Sequence, residues 1–220
     1  MAVTAHAGRA VALREGAPPG GGDTRTRILD VAERLVQVRG FNGFSYADVA
    51  AELTLTKASL HHHFPSKADL GEALVARYGE RFSRALAAID EELDGAPARL
   101  EAYAGLYGEV LREGRMCLCG MLAAEHETLP TPIQHAVVAF LDDNEAWLQS
   151  VLEQGRKDHS LRFEGSARDT ARSILSSLEG AMLVARSHDE VEAFRAGASL
   201  LLRRLAGTVE PRSARRGGRR

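Results

Sequence analysis

Between Phe44 and Lys67 the chain reads FSYADVAAELTLTKASLHHHFPSK, and few folds accept that order of caps, apolar positions and stops. Ser45 is a good N-cap, and Tyr46, Val49, Ala50 and Leu53 follow at i, i+3, i+4 and i+7, the spacing of one buried helical stripe. Leu53, Thr54 and Leu55 break that pattern. Thr56 then caps a second short helix that turns Leu60 and Phe64 inward at i, i+4. Pro65 ends it, because the proline ring clashes with helical continuation and disfavours helical geometry at Phe64. Ser66 with Asp69 forms a capping box that opens the next helix. With Leu60 and Phe64 inward, the ~100° step per residue turns Ala58 and His62 outward, flanked by Lys57, Ser59 and His61. Such a short polar face fits the DNA major groove. An ordinary helical hairpin with a solvated face has the same spacing.

The rest of the chain builds around this pair. Residues 1–22, rich in Ala, Gly and Arg and ending in APPGGG, read as a flexible arm. Asp23 or Thr24 caps a first long helix in which Ile28, Ala32, Leu35 and Val36 line one face, and Gly40 closes it as a left-handed C-cap. Phe41 and Phe44 seal the corner that follows. Residues 23–66 are thus expected to form a three-helix helix-turn-helix domain. From Ser66 onward the pattern stays helical: a long fourth helix, a fifth to about Glu113, a short sixth near Cys117 to Glu127, and a long seventh. For the seventh, Thr131 serves as N-cap and Pro132 as first helical residue. An eighth spans about Ser166 to Arg186 and a ninth about Glu190 to Ala206. No alternating strand pattern appears. The expected fold is all-α with about nine helices: the small N-terminal domain, a larger helical bundle over 67–206 and a basic flexible tail over 207–220.

Composition removes several classes of function. No run of some 18 apolar residues exists, so no membrane span is expected, and the N-terminus lacks a secretory core. A soluble, cytoplasmic protein follows as the expectation. Two cysteines, Cys117 and Cys119, make no disulfide framework. Residues 1–70 hold eight Lys/Arg against seven Asp/Glu, a near-neutral balance that supports DNA binding only weakly. Seven arginines crowd residues 203–220 against the single Glu210, either a nonspecific attraction to nucleic acid or a solvated end. His61, His62 and His63 diverge by ~100° per step and cannot converge on one ion. Asp142, Asp143, Asn144 and Glu145 lack calcium-loop spacing. There is no phosphate loop and no nucleophile elbow, so neither an enzyme nor a cofactor is expected. A helical scaffold that binds only protein would account for the apolar stripes of the last two helices, but not for the capped pair at 45–64.

The run TRTRILDVAERLVQVRGFNGFSYADVAAEL followed by TKASLHHHFPSKADL resembles the TetR family of transcriptional repressors. That resemblance implies a homodimer paired through helices eight and nine, a double-stranded DNA operator and a small-molecule inducer. Carried over by position, Tyr46 contacts phosphate. Thr56 opens the recognition helix; Lys57, Ala58, Ser59 and His61 approach base edges; His62, His63 and Lys67 approach the backbone. Two departures stand out. Thr54 occupies a turn position where the family often has Gly, and His61 replaces a frequent Tyr, removing an aromatic contact. The run GRMCLCGMLAAEHETLP is similar to a branch that responds to N-ethylmaleimide and other electrophiles, with Cys117 at the sensor position and Leu118, Leu122 and Glu125 following. A helix N-terminus favours a thiolate, so a reactive Cys117 is chemically reasonable; two small buried packing residues are the plainer alternative. Tyr103, Tyr107, Cys117, Met121 and Trp147 are the candidate ligand-pocket residues, although aromatics at helical spacing often form plain core.

Overall fold

The computed structural model describes residues 23–206; the arm at 1–22 and the tail at 207–220 expected above lie outside the described residues. Among the described residues there are nine α-helices, one short 3-10 turn and no sheet. A single bridge joins Leu161 and Ala206. The helices are α1 (Thr24–Arg39), α2 (Tyr46–Leu53), α3 (Lys57–His63), α4 (Lys67–Glu92), α5 (Ala96–Arg112), α6 (Leu118–Ala124), α7 (Thr131–Lys157), α8 (Ala167–His188) and α9 (Val191–Leu205). None is long and apolar enough to cross a membrane.

The caps fall where the side chains demand. Asp23 accepts the Thr26 N–H at 2.8 Å, and capping boxes at Ser45/Asp48 and Ser66/Asp69 open α2 and α4. Gly40, at φ 82, closes α1 by donating to Val36 O. Two boundaries differ from expectation. Pro130 O accepts both the Ile133 and Gln134 N–H groups, so Thr131 is already helical and Pro132 is the second residue of α7. The sixth helix ends at Ala124, and a separate 3-10 turn covers His126–Thr128.

One contiguous apolar core runs through the molecule. Ile28, Ala32, Leu35 and Val36 of α1 meet Val49 and Ala50 of α2, Leu60 of α3 and the phenylalanine corner, where Phe41 and Phe44 pack edge to face at 6.0 Å. Burying each such side chain contributes roughly 1.5–3 kcal/mol. The small α1–α3 unit therefore holds α3 in a fixed orientation. α4 starts beside this unit and runs on into the bundle, where α5, α7, α8 and α9 pack together. α6 touches α1, α4 and α7, which places it between the two parts of the molecule.

Candidate nucleic-acid interface and the core behind it

α3 presents the face the spacing predicts. Leu60 and Phe64 are buried, and Thr56, Lys57, Ala58, His61 and His62 are exposed, with Ser59 half-exposed. Thr56 Oγ1 accepts the Ser59 N–H at 3.1 Å and fixes the helix start. The turn before it is made by Thr54 in the left-handed region, φ 55 and ψ 41, its N–H bonded back to Ala50 O and Ala51 O. That conformation suits glycine and strains a β-branched residue. His63 is half-buried near the start of α1. There the Asp23 carboxyl is held below its usual range, first by the Thr26 N–H and, to a lesser degree, by His63.

Three residues carried over by resemblance stand differently from expectation. Tyr46 turns its hydroxyl inward, within reach of both Phe64 O (2.9 Å) and Ser66 O (2.6 Å). Burial pushes its pKa up to about 12, so it stays a proton donor that pins the α3–α4 junction. Lys67 donates to Phe41 O and Phe44 O, each at 2.5 Å, and its ammonium sits 4.6 and 4.3 Å from the two phenylalanine rings. Burial lowers its pKa, against the pull of Glu125 and Asp48. Both side chains meet orphan carbonyls at a helix junction, and that is the stronger demand inside a fold. The His61 ring does not lose its aromatic contact: it lies 4.8 Å from the Tyr46 ring and bonds to Pro65 O at 3.0 Å. Together Tyr46, Lys57, His61 and Lys67 rim a depression of about 370 Å³ beside the N-terminus of α2.

The α1–α2 corner is gripped from the bundle side. The Glu125 carboxylate, at the end of α6, accepts the Phe41 N–H (2.5 Å) and the Asn42 N–H (3.2 Å), and Asn42 Nδ2 donates to Thr128 Oγ1 at 2.7 Å. Gly40 makes room for it, since a Cβ there would lie 2.8 Å from Glu125 Oε1. Arg186 of α8 donates to Gln37 O and Val38 O at 3.0 and 2.9 Å. Glu33 of α1, 3 % exposed, pairs with Arg77 and Arg81 of α4. A buried carboxylate of this kind is tolerated only when paired.

Behind these grips, none of the five candidate pocket residues borders the cavity between α4 and α7. Tyr103 and Tyr107 are buried, joined hydroxyl to hydroxyl at 2.9 Å, with Tyr103 also donating to Asn144 Oδ1 at 3.1 Å. They pack with Phe82, while Tyr78 and Phe140 extend the same aromatic cluster. Trp147 stacks on Tyr103 and donates to Asp90. Met121 is half-buried on α6. Aromatic rings at helical spacing gain more from packing on each other than from lining a void. The α4–α7 cavity, of about 830 Å³, is bordered instead by Val75, Phe82, Pro132, Phe140 and Asn144, with Glu72 and Arg84 also on its lining.

Cys117 is the N-cap residue of α6 and is 1 % exposed; its Sγ accepts the Gly120 N–H at 3.4 Å and the Tyr78 O–H at 3.7 Å. A thiolate at a helix N-terminus does not follow here. Burial, ahead of the nearby Glu179 charge, drives the thiol pKa far up, and the Gly120 N–H only partly opposes it. Cys119 is buried and shifted the same way. Glu33, Glu179 and Arg186 were not singled out from the sequence, and Glu125 entered only as part of the pattern that follows Cys117. Two of them left a legible signal: Glu33 shares the face of Leu29 and Val36, and Glu179 that of Leu175 and Met182, each a charge inside an apolar stripe.

A model for the TetR family of bacterial regulatory proteins matches residues 28–74, and one for the tetracyclin repressor-like C-terminal domain matches residues 96–201. The HTH-type transcriptional repressor NemR of Escherichia coli K12 is 27% identical over 177 residues, 77% of this chain and 89% of that protein. Among solved structures, a TetR-family transcriptional regulator from Agrobacterium tumefaciens superposes with TM-score 0.81 at 33% identity, covering 83% of this chain and 97% of that one. The reduced form of E. coli NemR superposes with TM-score 0.74 at 26% identity, covering 85% and 100%.

Proposed function

Because the chain belongs to the TetR family of bacterial regulatory proteins, it is a DNA-binding transcriptional repressor, and we propose how its residues do that work. Regulators of this class act by binding rather than by catalysis. The unit that reads DNA is residues 23–66, with α3 entering the major groove. Lys57, Ala58, Ser59 and His61 face base edges, with His62 toward the backbone. Lys67 and Tyr46 act at one remove, by fixing α3 against the α1–α2 corner. The single observation that carries this reading is the outward polar face of α3 on a helix whose other side is fully committed to packing.

The protein works as a dimer, and two copies of α3 then meet successive major grooves of a roughly palindromic operator. We assign the pairing surface to α8 and α9. The part that responds to a signal is residues 67–206, where the α4–α7 cavity suits a small apolar inducer. Cys117 is the residue on which an electrophile acts. An adduct there has no free volume to occupy, so it displaces α6, and α6 carries the Glu125 carboxylate that holds the α1–α2 corner.

In a gel-shift assay on DNA from upstream of the protein's own gene, Lys57→Ala should weaken binding about tenfold, the value of one good base or phosphate contact. Unchanged affinity would remove α3 from the groove. N-ethylmaleimide should release the wild type from that DNA and leave Cys117→Ser bound; equal release of both would take Cys117 out of the response.

A further inference from the structure

The reading of Cys117 as the electrophile-reactive residue leaves a chemical problem, because a buried neutral thiol is a poor nucleophile. We propose that the Glu179 carboxylate is the proton acceptor for Cys117, so that the pair adds to soft carbon electrophiles such as maleimides and α,β-unsaturated carbonyls.

The two groups meet between the first turn of α6 and the middle of α8. The Glu179 carboxylate lies against Gly120, where a methyl group would collide with it, and the Gly120 N–H bonds to Cys117 Sγ at 3.4 Å, so thiol and carboxylate share the first turn of α6. Glu179 Oε1 is buried and has no hydrogen-bond partner, so it has capacity to take a proton. The groups facing the carboxylate are Tyr78 from α4, Tyr103 and Tyr107 from α5, and Cys117 and Cys119 from α6. Arg81 of α4 lies 5.4 Å from the Tyr78 ring. Burial raises the Glu179 pKa to about 7, with the neighbouring thiol pulling the other way, while burial lifts the thiol far higher. Slightly above neutral pH, therefore, the carboxylate is ionised and the thiol keeps its proton. A base beside the thiol with a pKa near working pH is the arrangement general-base chemistry needs.

The step balances without another reactant. Sulfur attacks the β-carbon as its proton passes to Glu179. The S–C bond forms and the C=C π pair moves to the α-carbon as an enolate. That carbon then takes the proton back, leaving a thioether and an ionised Glu179. The route in is short. Gly120, three residues from the thiol, and Glu179 are both partly exposed.

The test follows N-ethylmaleimide addition to the full-length native protein between pH 6 and 9. Tandem mass spectrometry separates adducts at Cys117 from those at Cys119. Wild type should react at Cys117 with a rate that inflects near neutral pH. Glu179→Gln, nearly isosteric, should react at least tenfold more slowly at pH 7.5 and lose the inflection, while Glu179→Asp should keep it. In denaturant all three should react alike. If Glu179→Gln reacts as fast as wild type or faster, the carboxylate only repels the thiolate and the proposal is wrong, with Cys117 still the sensor. If native wild type does not react at Cys117 at all, both the proposal and the sensor reading fall.

Discussion

Thr54 shows how much a single residue reveals when its neighbours are already understood. Its position between two capped helices demands a left-handed turn, and its β-branched side chain resists one; the structure forces φ to 55 all the same. Thr54→Gly should therefore stabilise the protein by about 1 kcal/mol, the relieved strain slightly exceeding the added freedom of the unfolded chain. The check is a urea melt in which the midpoint rises at unchanged slope; a lower midpoint would mean that the turn carries no strain. Tyr46 and Lys67 teach the converse. Their positions relative to α3 were legible, but not the direction of their polar ends, because the carbonyls that capture them come from residues 18 to 26 positions away.

At the scale of elements, α6 is the part whose role depends least on its own length. Its seven residues begin at the Cys117 cap and end beside Glu125, so they span the distance from the buried thiol to the α1–α2 corner. Helix ends are rigid relative to each other over so short a span, and a shift at one end must appear at the other. Glu125→Gln should leave N-ethylmaleimide addition at Cys117 intact while cutting the resulting loss of DNA binding at least threefold. Adduct formation read by mass and DNA affinity read by fluorescence anisotropy separate the two effects. Full release in the variant would show that the signal travels by another path, of which the Arg186 grip on α1 is the nearest. The existence of α6 was legible from its proline and glycine punctuation. Its early end was not, since the Glu125 N–H bonds to Leu122 O and the chain tightens into a 3-10 turn there.

At the scale of the whole molecule, the apolar stripes read along α8 and α9 proved to face mainly inward: Ile174, Leu178 and Met182 of α8 and Phe194, Ala198 and Leu202 of α9 are all buried within the protomer. A second set remains outside, with Leu183 at 52 %, Val184 at 61 % and Leu200 at 50 % exposure, beside exposed Gly180, Ala193, Ala196 and Gly197. Small residues with a few large apolar ones suit close helix–helix contact between copies, and large exposed apolar groups are unusual on a surface meant for water. Val184→Glu should convert the dimer to a monomer in sedimentation at micromolar concentration. It should also reduce operator affinity by more than a hundredfold, because one half-site then binds alone. A dimer that survives the change would move the interface elsewhere.

Local rules determined the helices and their ends: caps, prolines and apolar spacing act within a few residues, and they placed α1 to α5 nearly as found and turned Ala58 and His62 outward. The family followed from the same stretch. What only the tertiary structure decided was which polar groups are spent inside the fold. Glu33, Glu125, Lys67 and Tyr46 find partners on other helices or loops while Glu179 is buried beside Cys117, and whether a side chain ends as a surface charge, a clamp or a buried acid depends on the dielectric and donors brought to it by distant segments.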